Sequence, residues 1–228
     1  MDFIRNGTKI EHAVGPPTRP RVIRWTTWSG RNDLRQSYLL VTDEGGVAID
    51  PVKLPPEGLD YLRGLVDEVV AVVTTCPNHD RDARWFGNQV RSPVFISSNS
   101  PARAQKAADQ TFTEGRLPGG LAAMAPSHEH GETWLLWKIG RRKLLFCGDS
   151  IYGQTDPGGF AGYEPKFWMQ ADGIRLYMPS IVPKSEMKER YRPLLDLKLT
   201  EIYNGHNPRS ISDPTAALTD VFRRGNTR

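Results

Sequence analysis

Residues 69–75 read Val-Val-Ala-Val-Val-Thr-Thr, an almost unbroken β-branched run. Such residues favour strands, and a strand without polar alternation is buried on both faces. A strand of that kind is covered by further layers, which predicts a layered α/β architecture. The neighbouring segments agree. Residues 37–42 and 47–51 are apolar runs around Asp43-Glu44-Gly45-Gly46 and predict a hairpin. Pro55-Pro56-Glu57-Gly58 opens a helix in which Leu59, Leu62 and Leu65 recur at helical spacing. Strands are predicted at 93–97, 133–139, 143–147 and 201–203, with short strands within 111–125. Helices are predicted at 80–90, 101–108, 184–197 and from Pro214 to Gly225, the last capped by Ser212-Asp213. Residues 1–35 read as irregular apart from an early strand at 25–28, because Pro16, Pro17 and Pro20 interrupt them. The stretch 149–161 reads as loop, and 164–178 as helical. This order suits two β-sheets packed together with helices outside.

Composition narrows the function classes. A chain of 228 residues can bury a full core, and two cysteines exclude a disulfide framework. No repeat, low-complexity tract or linker composition divides it, so one domain over 1–228 is expected. No apolar run approaches the ~20 residues of a membrane helix. Met1-Asp2-Phe3-Ile4-Arg5-Asn6-Gly7 has no signal-type apolar region, so a cytoplasmic location without membrane partners is expected. Thirty Lys and Arg against 26 Asp and Glu, with no long basic block, does not argue for nucleic acid.

Four of the five histidines, His79, His128, His130 and His206, fall just past a predicted strand or in a turn, and His12 does not. Three strand ends also carry polar clusters: Cys76-Pro77-Asn78-His79-Asp80-Arg81-Asp82, Gly148-Asp149-Ser150 and Asn204-Gly205-His206-Asn207. Strand ends that each bring a potential ligand are how α/β folds build metal or catalytic sites.

In order, these segments resemble the metallo-β-lactamase-fold hydrolase superfamily. Its Thr-His-x-His-x-Asp-His motif is matched by Thr75-Cys76-Pro77-Asn78-His79-Asp80-Arg81. Its Pro-Gly-His stretch is matched by Pro126-Ser127-His128-Glu129-His130-Gly131-Glu132. Gly148-Asp149 and Gly205-His206 match its last two motifs, and 38–51 its opening hairpin. The resemblance spans roughly 36–210. It implies an αββα sandwich, two mixed sheets packed together with helices outside, and a metal site at one edge.

The first motif departs from the family: Cys76, Asn78 and Arg81 stand where histidines are expected. Carried over by position, one ion would keep Asp80, Asp149 and His206 as ligands. Three protein ligands and a water suit catalytic zinc, and two carboxylates with one imidazole also suit iron or manganese. Alternatively Cys76, His128 and Asp149 hold zinc, unless Cys76 is simply a small buried residue. In a third reading no metal binds, and Arg81 pairs with Asp80 or Asp149 in place of the lost cation. His79 falls between motif positions and reads as a solvent-side residue, although a shift of the loop would bring it in as a replacement ligand. Asn78 would be a poor ligand. Asp50 is expected to orient loops beneath the site, and Asp82 to start a helix or to hold Arg81.

The resemblance therefore implies a hydrolase with one divalent ion, zinc first. Its substrate would be a small ester-, thioester- or lactone-like molecule, contacted by aromatics such as Tyr152 and Trp168. The alternative is a metal-free relative that binds a ligand or a partner.

Overall fold

The computed structural model describes residues 3–5, 8–15, 21–29, 33–124, 131–153, 168–171, 174–177, 184–206 and 210–224. An eight-stranded sheet runs in chain order through β1 (Phe3–Arg5), β2 (Thr8–Val14), β3 (Val22–Ser29), β4 (Asp33–Thr42), β5 (Gly45–Ile49), β6 (Val69–Val73), β7 (Val94–Ser97) and β8 (Gln110–Phe112). Strands β1 to β5 pair antiparallel, and β5 to β8 are parallel. Helices α1 (Pro56–Arg63), α2 (Ala83–Val90) and α3 (Ala102–Gln105) lie in the connections of the parallel half.

The second sheet has six strands. They are β9 (Gly115–Leu117), β10 (Leu121–Met124), β11 (Trp134–Ile139), β12 (Arg142–Cys147), β16 (Glu201–Asn204) and β17 (Ile211–Ser212). Between β12 and β16 the chain forms a small sheet of β13 (Ile151–Gly153), β14 (Trp168–Ala171) and β15 (Ile174–Tyr177), followed by α4 (Lys184–Tyr191) and α5 (Pro193–Asp196). Strand β16 returns parallel to β12, and α6 (Pro214–Arg224) closes the chain.

The two large sheets share a core. Tyr38, Leu40, Val47, Ile49, Ala71 and Val73 meet Leu135, Trp137, Leu144, Phe146 and Tyr203. On the far side of the first sheet, Trp25, Leu39, Ala48 and Val72 pack on Leu59 and Leu62 of α1 and Phe86 of α2. Beyond the second, Leu136, Leu145 and Ile202 pack on Tyr191, Leu194, Leu218 and Val221. Each fully buried aliphatic or aromatic side chain contributes about 1.5–3 kcal/mol, so the layering follows from where the apolar residues fall. The αββα sandwich expected from the sequence is what forms. Residues Val69–Val73 of the expected run form β6, an interior strand covered on both faces.

Four sequence expectations change. The N-terminal part is not irregular: β2 and β3 pair over Thr8–Val14, with Thr8 and Ile10 buried and Lys9 and Glu11 less so. That alternation is the mark of a strand. Pro16, Pro17 and Pro20 lie outside the described residues. Within 164–178, the described residues Trp168–Ala171 and Ile174–Tyr177 form the β14–β15 pair rather than a helix, with Trp168 in register with Tyr177, and the rest of that stretch lies outside the described residues. Residues 151–153 within the expected loop form β13, paired to β15. The helix expected at 184–197 divides at Arg192, because Pro193 has no N–H to continue it.

Candidate metal centre

Four strand ends converge at one edge: Asp50 after β5, Cys76 after β6, Asp149 after β12 and His206 after β16. Between β6 and α2, residues Pro77–His79 form a single 3-10 turn. The turn points Asn78 to solvent and buries His79, which is 3% exposed. The solvent-side reading of His79 is thus corrected. Pro77 at the start of the turn, with its fixed φ, favours this tight conformation.

His79 is held from behind. Its Nδ1 lies 2.7 Å from Asp50 Oδ2, and Asp50 also accepts the Thr75 amide at 2.7 Å and the Thr75 hydroxyl at 2.5 Å. To aim its carboxylate this way Asp50 sits at φ +47, unusual for a residue with a side chain. In front, His79 Nε2 faces Asp149 Oδ1 at 3.3 Å and His206 Nε2 at 3.3 Å. His206 is fixed in the same manner: its Nδ1 lies 2.9 Å from the Leu34 carbonyl, and its Nε2 lies 2.9 Å from Asp149 Oδ1. Cys76 Sγ is 3.6 Å from Asp149 Oδ2, and ligand atoms of Cys76, His79 and Asp149 all lie within 4.8 Å of one another. The Tyr152 hydroxyl donates to Asp149 Oδ1 at 3.2 Å.

The loop that carries Asp149 is held by Glu132, which is fully buried. Its carboxylate accepts the amides of Gly148 at 3.2 Å, Asp149 at 3.0 Å and Ser150 at 3.2 Å, and also the Ser150 hydroxyl.

Charge ties these groups together. Burial works against a charged His79, yet Cys76, Asp50 and Asp149 hold its pKa well above the usual imidazole value. Burial would raise Asp149, yet His79 and His206 keep it well below the usual carboxylate range. Burial pushes the Cys76 thiol up to about 12.

The donor set fits a divalent ion. Each imidazole has its Nδ1 on an oxygen acceptor, which leaves Nε2 to serve as the donor to a metal, the arrangement that orients histidine ligands. Two ligands ~2.0–2.1 Å from a tetrahedral ion stand about 3.3 Å apart, close to the 2.9–3.3 Å edges between His79, His206 and Asp149. The Asp149 side chain is 23% exposed, so the cluster opens to solvent on that side.

The other sequence candidates take different places. Asp80, like His206, lies outside the trio of Cys76, His79 and Asp149 whose ligand atoms are within 4.8 Å of one another, and no hydrogen bond from its side chain to His79, Asp149 or His206 is seen among the described residues. Arg81 donates through Nε to the Asn78 carbonyl at 2.8 Å, and among the described residues no ion pair joins it to Asp80 or Asp149. The expected replacement of a cation by Arg81 therefore lacks its geometry. Asp82 accepts the Lys53 amide at 3.0 Å rather than holding Arg81. Cys76 and Cys147 are both free, and Cys147 Sγ approaches the carbonyls of Tyr203 and Ile151. Trp168 lies on β14, with its side chain outside the described part of the structure. His128 and His130 also lie outside the described residues.

Sequence reasoning missed two supports. Glu132 was visible only as a motif residue, with nothing to say what its carboxylate holds. Gly205 was visible as the residue before His206, but its need to be glycine comes from space. A Cβ there would overlap His79 Cε1. Gly205→Ala is therefore expected to cost about 1–3 kcal/mol in urea unfolding and to displace the His79 ring. By contrast, Arg81→Ala is expected to change stability by less than about 0.5 kcal/mol and to leave metal affinity unchanged, measured by unfolding and by calorimetric titration.

No family model matches the sequence, and no curated protein matches it. Solved structures do. The chain is similar to the DIM-1 metallo-β-lactamase exposed to ceftazidime, with TM-score 0.67 and 14% identity over 96% of this chain and 98% of that one. It is similar to a metallo-β-lactamase family protein from Thermus thermophilus, with TM-score 0.59 and 14% identity over 90% and 79%. It is also similar to a chemotaxis sensor, ODP, in a peroxy diiron form, with TM-score 0.57 and 14% identity over 97% and 92%. At these identities the likeness is one of fold.

Proposed function

We propose that this chain, which has the metallo-β-lactamase fold, is a metal-dependent hydrolase with one divalent ion held by His79, Asp149 and His206. Its substrate is a small ester-, thioester- or lactone-like molecule. The observation that carries the reading is the convergence of two Nε2 atoms and a carboxylate oxygen, 2.9–3.3 Å apart, while Asp50 and the Leu34 carbonyl occupy the outer ring nitrogens. Metal binding of some kind also accords with the neighbours, one of which is described in a diiron form.

Bound there, the ion would supply Lewis-acid charge that polarises a carbonyl and acidifies water. The protein does the rest. Asp50 and the Leu34 carbonyl keep both imidazoles in the tautomer that presents Nε2. Glu132 fixes the backbone beneath Asp149, so the carboxylate is aimed before any ligand arrives. The buried Tyr152 hydroxyl donates to Asp149 Oδ1 and so helps hold that carboxylate in place.

The test is metal content by elemental analysis on protein prepared without a histidine tag, followed by hydrolysis assays on ester, thioester and lactone panels. Removing the ion with a chelator is expected to lower Tm by roughly 5–15 °C, since a ligand at 100–1,000 times its Kd stabilises by about 3–4 kcal/mol. A protein that holds no ion after loading with zinc, iron or manganese, and whose Tm ignores the chelator, overturns the reading.

A further inference from the structure

We infer that Cys76 Sγ is a donor to the ion that His79 and Asp149 hold, so that the centre includes a thiolate and selects thiophilic divalent ions of the zinc class over manganese and magnesium. The inference rests on the proposal that His79, Asp149 and His206 hold an ion, and extends it from the position of the ion to its chemical class.

Three observations carry it. Cys76 Sγ is buried within the same group of ligand atoms as His79 and Asp149. Its 3.6 Å separation from Asp149 Oδ2 matches geometry: a sulfur at ~2.3 Å and an oxygen at ~2.1 Å from a tetrahedral ion stand about 3.6 Å apart. Finally, the chain leaves room for the sulfur. A Cβ on Gly148 would stand 3.0 Å from Cys76 Sγ and 3.2 Å from Cys76 Cβ, so only glycine before Asp149 lets the two side chains meet. The other cysteine, Cys147, faces the carbonyls of Tyr203 and Ile151 and is not in the group.

The chemistry follows from the sulfur. In the metal-free protein Cys76 is a thiol, since burial favours the neutral form. When the metal–sulfur bond forms, the S–H bond breaks and the proton leaves to solvent, so the thiolate offsets one of the two charges of the ion. A thiolate beside imidazole and carboxylate is a borderline-soft set, which zinc, cobalt(II) and iron(II) accept and manganese and magnesium do not. The approach from solvent stays on the side of Asp149, away from the 2%-exposed Cys76.

The probe is cobalt(II) alone, titrated into the metal-free protein and followed by absorption. The expected result is saturation with an intense near-ultraviolet sulfur-to-cobalt charge-transfer band. That band should be lost in Cys76→Ser and kept in Cys147→Ser. Zinc affinity in Cys76→Ser should fall at least ~100-fold, beyond the ~10–100-fold that loss of an outer partner costs, while manganese affinity stays unchanged. Zinc X-ray absorption on the unmodified protein gives the same answer without a variant: one sulfur at about 2.3 Å beside lighter atoms at about 2.0–2.1 Å. Stoichiometric binding without the band, or a zinc shell of nitrogen and oxygen only, overturns the role of Cys76 and leaves the three-donor centre intact. Absence of binding by any ion overturns both.

Discussion

His79→Ala is expected to weaken binding of a divalent ion at least ~100-fold, while Asp80→Ala changes it by no more than about twofold. The two residues are neighbours, and alignment with the superfamily motif favours Asp80. The geometry favours His79, whose Nε2 stands 3.3 Å from both Asp149 Oδ1 and His206 Nε2. Its other nitrogen is anchored on a carboxylate that holds Thr75 as well. Removing the ring takes away a donor and leaves the Asp50 carboxylate with its Thr75 contacts alone among those described, so stability falls too, by about 1–3 kcal/mol. Isothermal titration with zinc on both variants settles the matter. Loss of binding in Asp80→Ala with retention in His79→Ala would return the site to the family register and remove His79 from the ligand set.

Glu132→Ala is expected to cost roughly 3–5 kcal/mol in urea unfolding, the scale seen when one partner of a buried ionic network is removed. Three amides and a hydroxyl converge on this one carboxylate in a fully buried place. Each buried donor left without an acceptor costs about 1–3 kcal/mol. Glu132→Gln keeps the volume but turns an NH2 group toward those donors, so it falls between wild type and alanine. Because the same contacts fix the amide of Asp149, ion affinity in Glu132→Gln is expected to drop ~10–100-fold. Unchanged affinity in a folded Glu132→Gln would mean that Asp149 is held without its help.

Local features already determined much of this protein. The run at 69–75 required a strand covered on both faces, and the Gly-bearing turn at 43–46 required a hairpin. The sandwich itself was expected from the resemblance of four motifs, taken in order, to a known family. The first two readings work because burial of apolar side chains follows periodicity and turn chemistry, which neighbours in sequence set among themselves. The elements that failed lacked such local cues. The pairing of β14 with β15, and of β2 with β3, is a relation between strands, and aromatic content at 164–178 mimicked a helical face. The site was legible as a place but not as a set of residues. Cys76, Asp149 and His206 could be named from strand ends, yet whether Asn78, His79 or Asp80 turned inward depended on contacts far away in the chain. A 3-10 turn rotates each residue by about a third of a circle, so one position of register exchanges an exposed side chain for a buried one. That register is set by Asp50, reaching from β5, and by the bare backbone of Gly205, which alone leaves space for the His79 ring. Residues 29 and 126 positions away from His79 make that choice, and only the folded chain brings them to it.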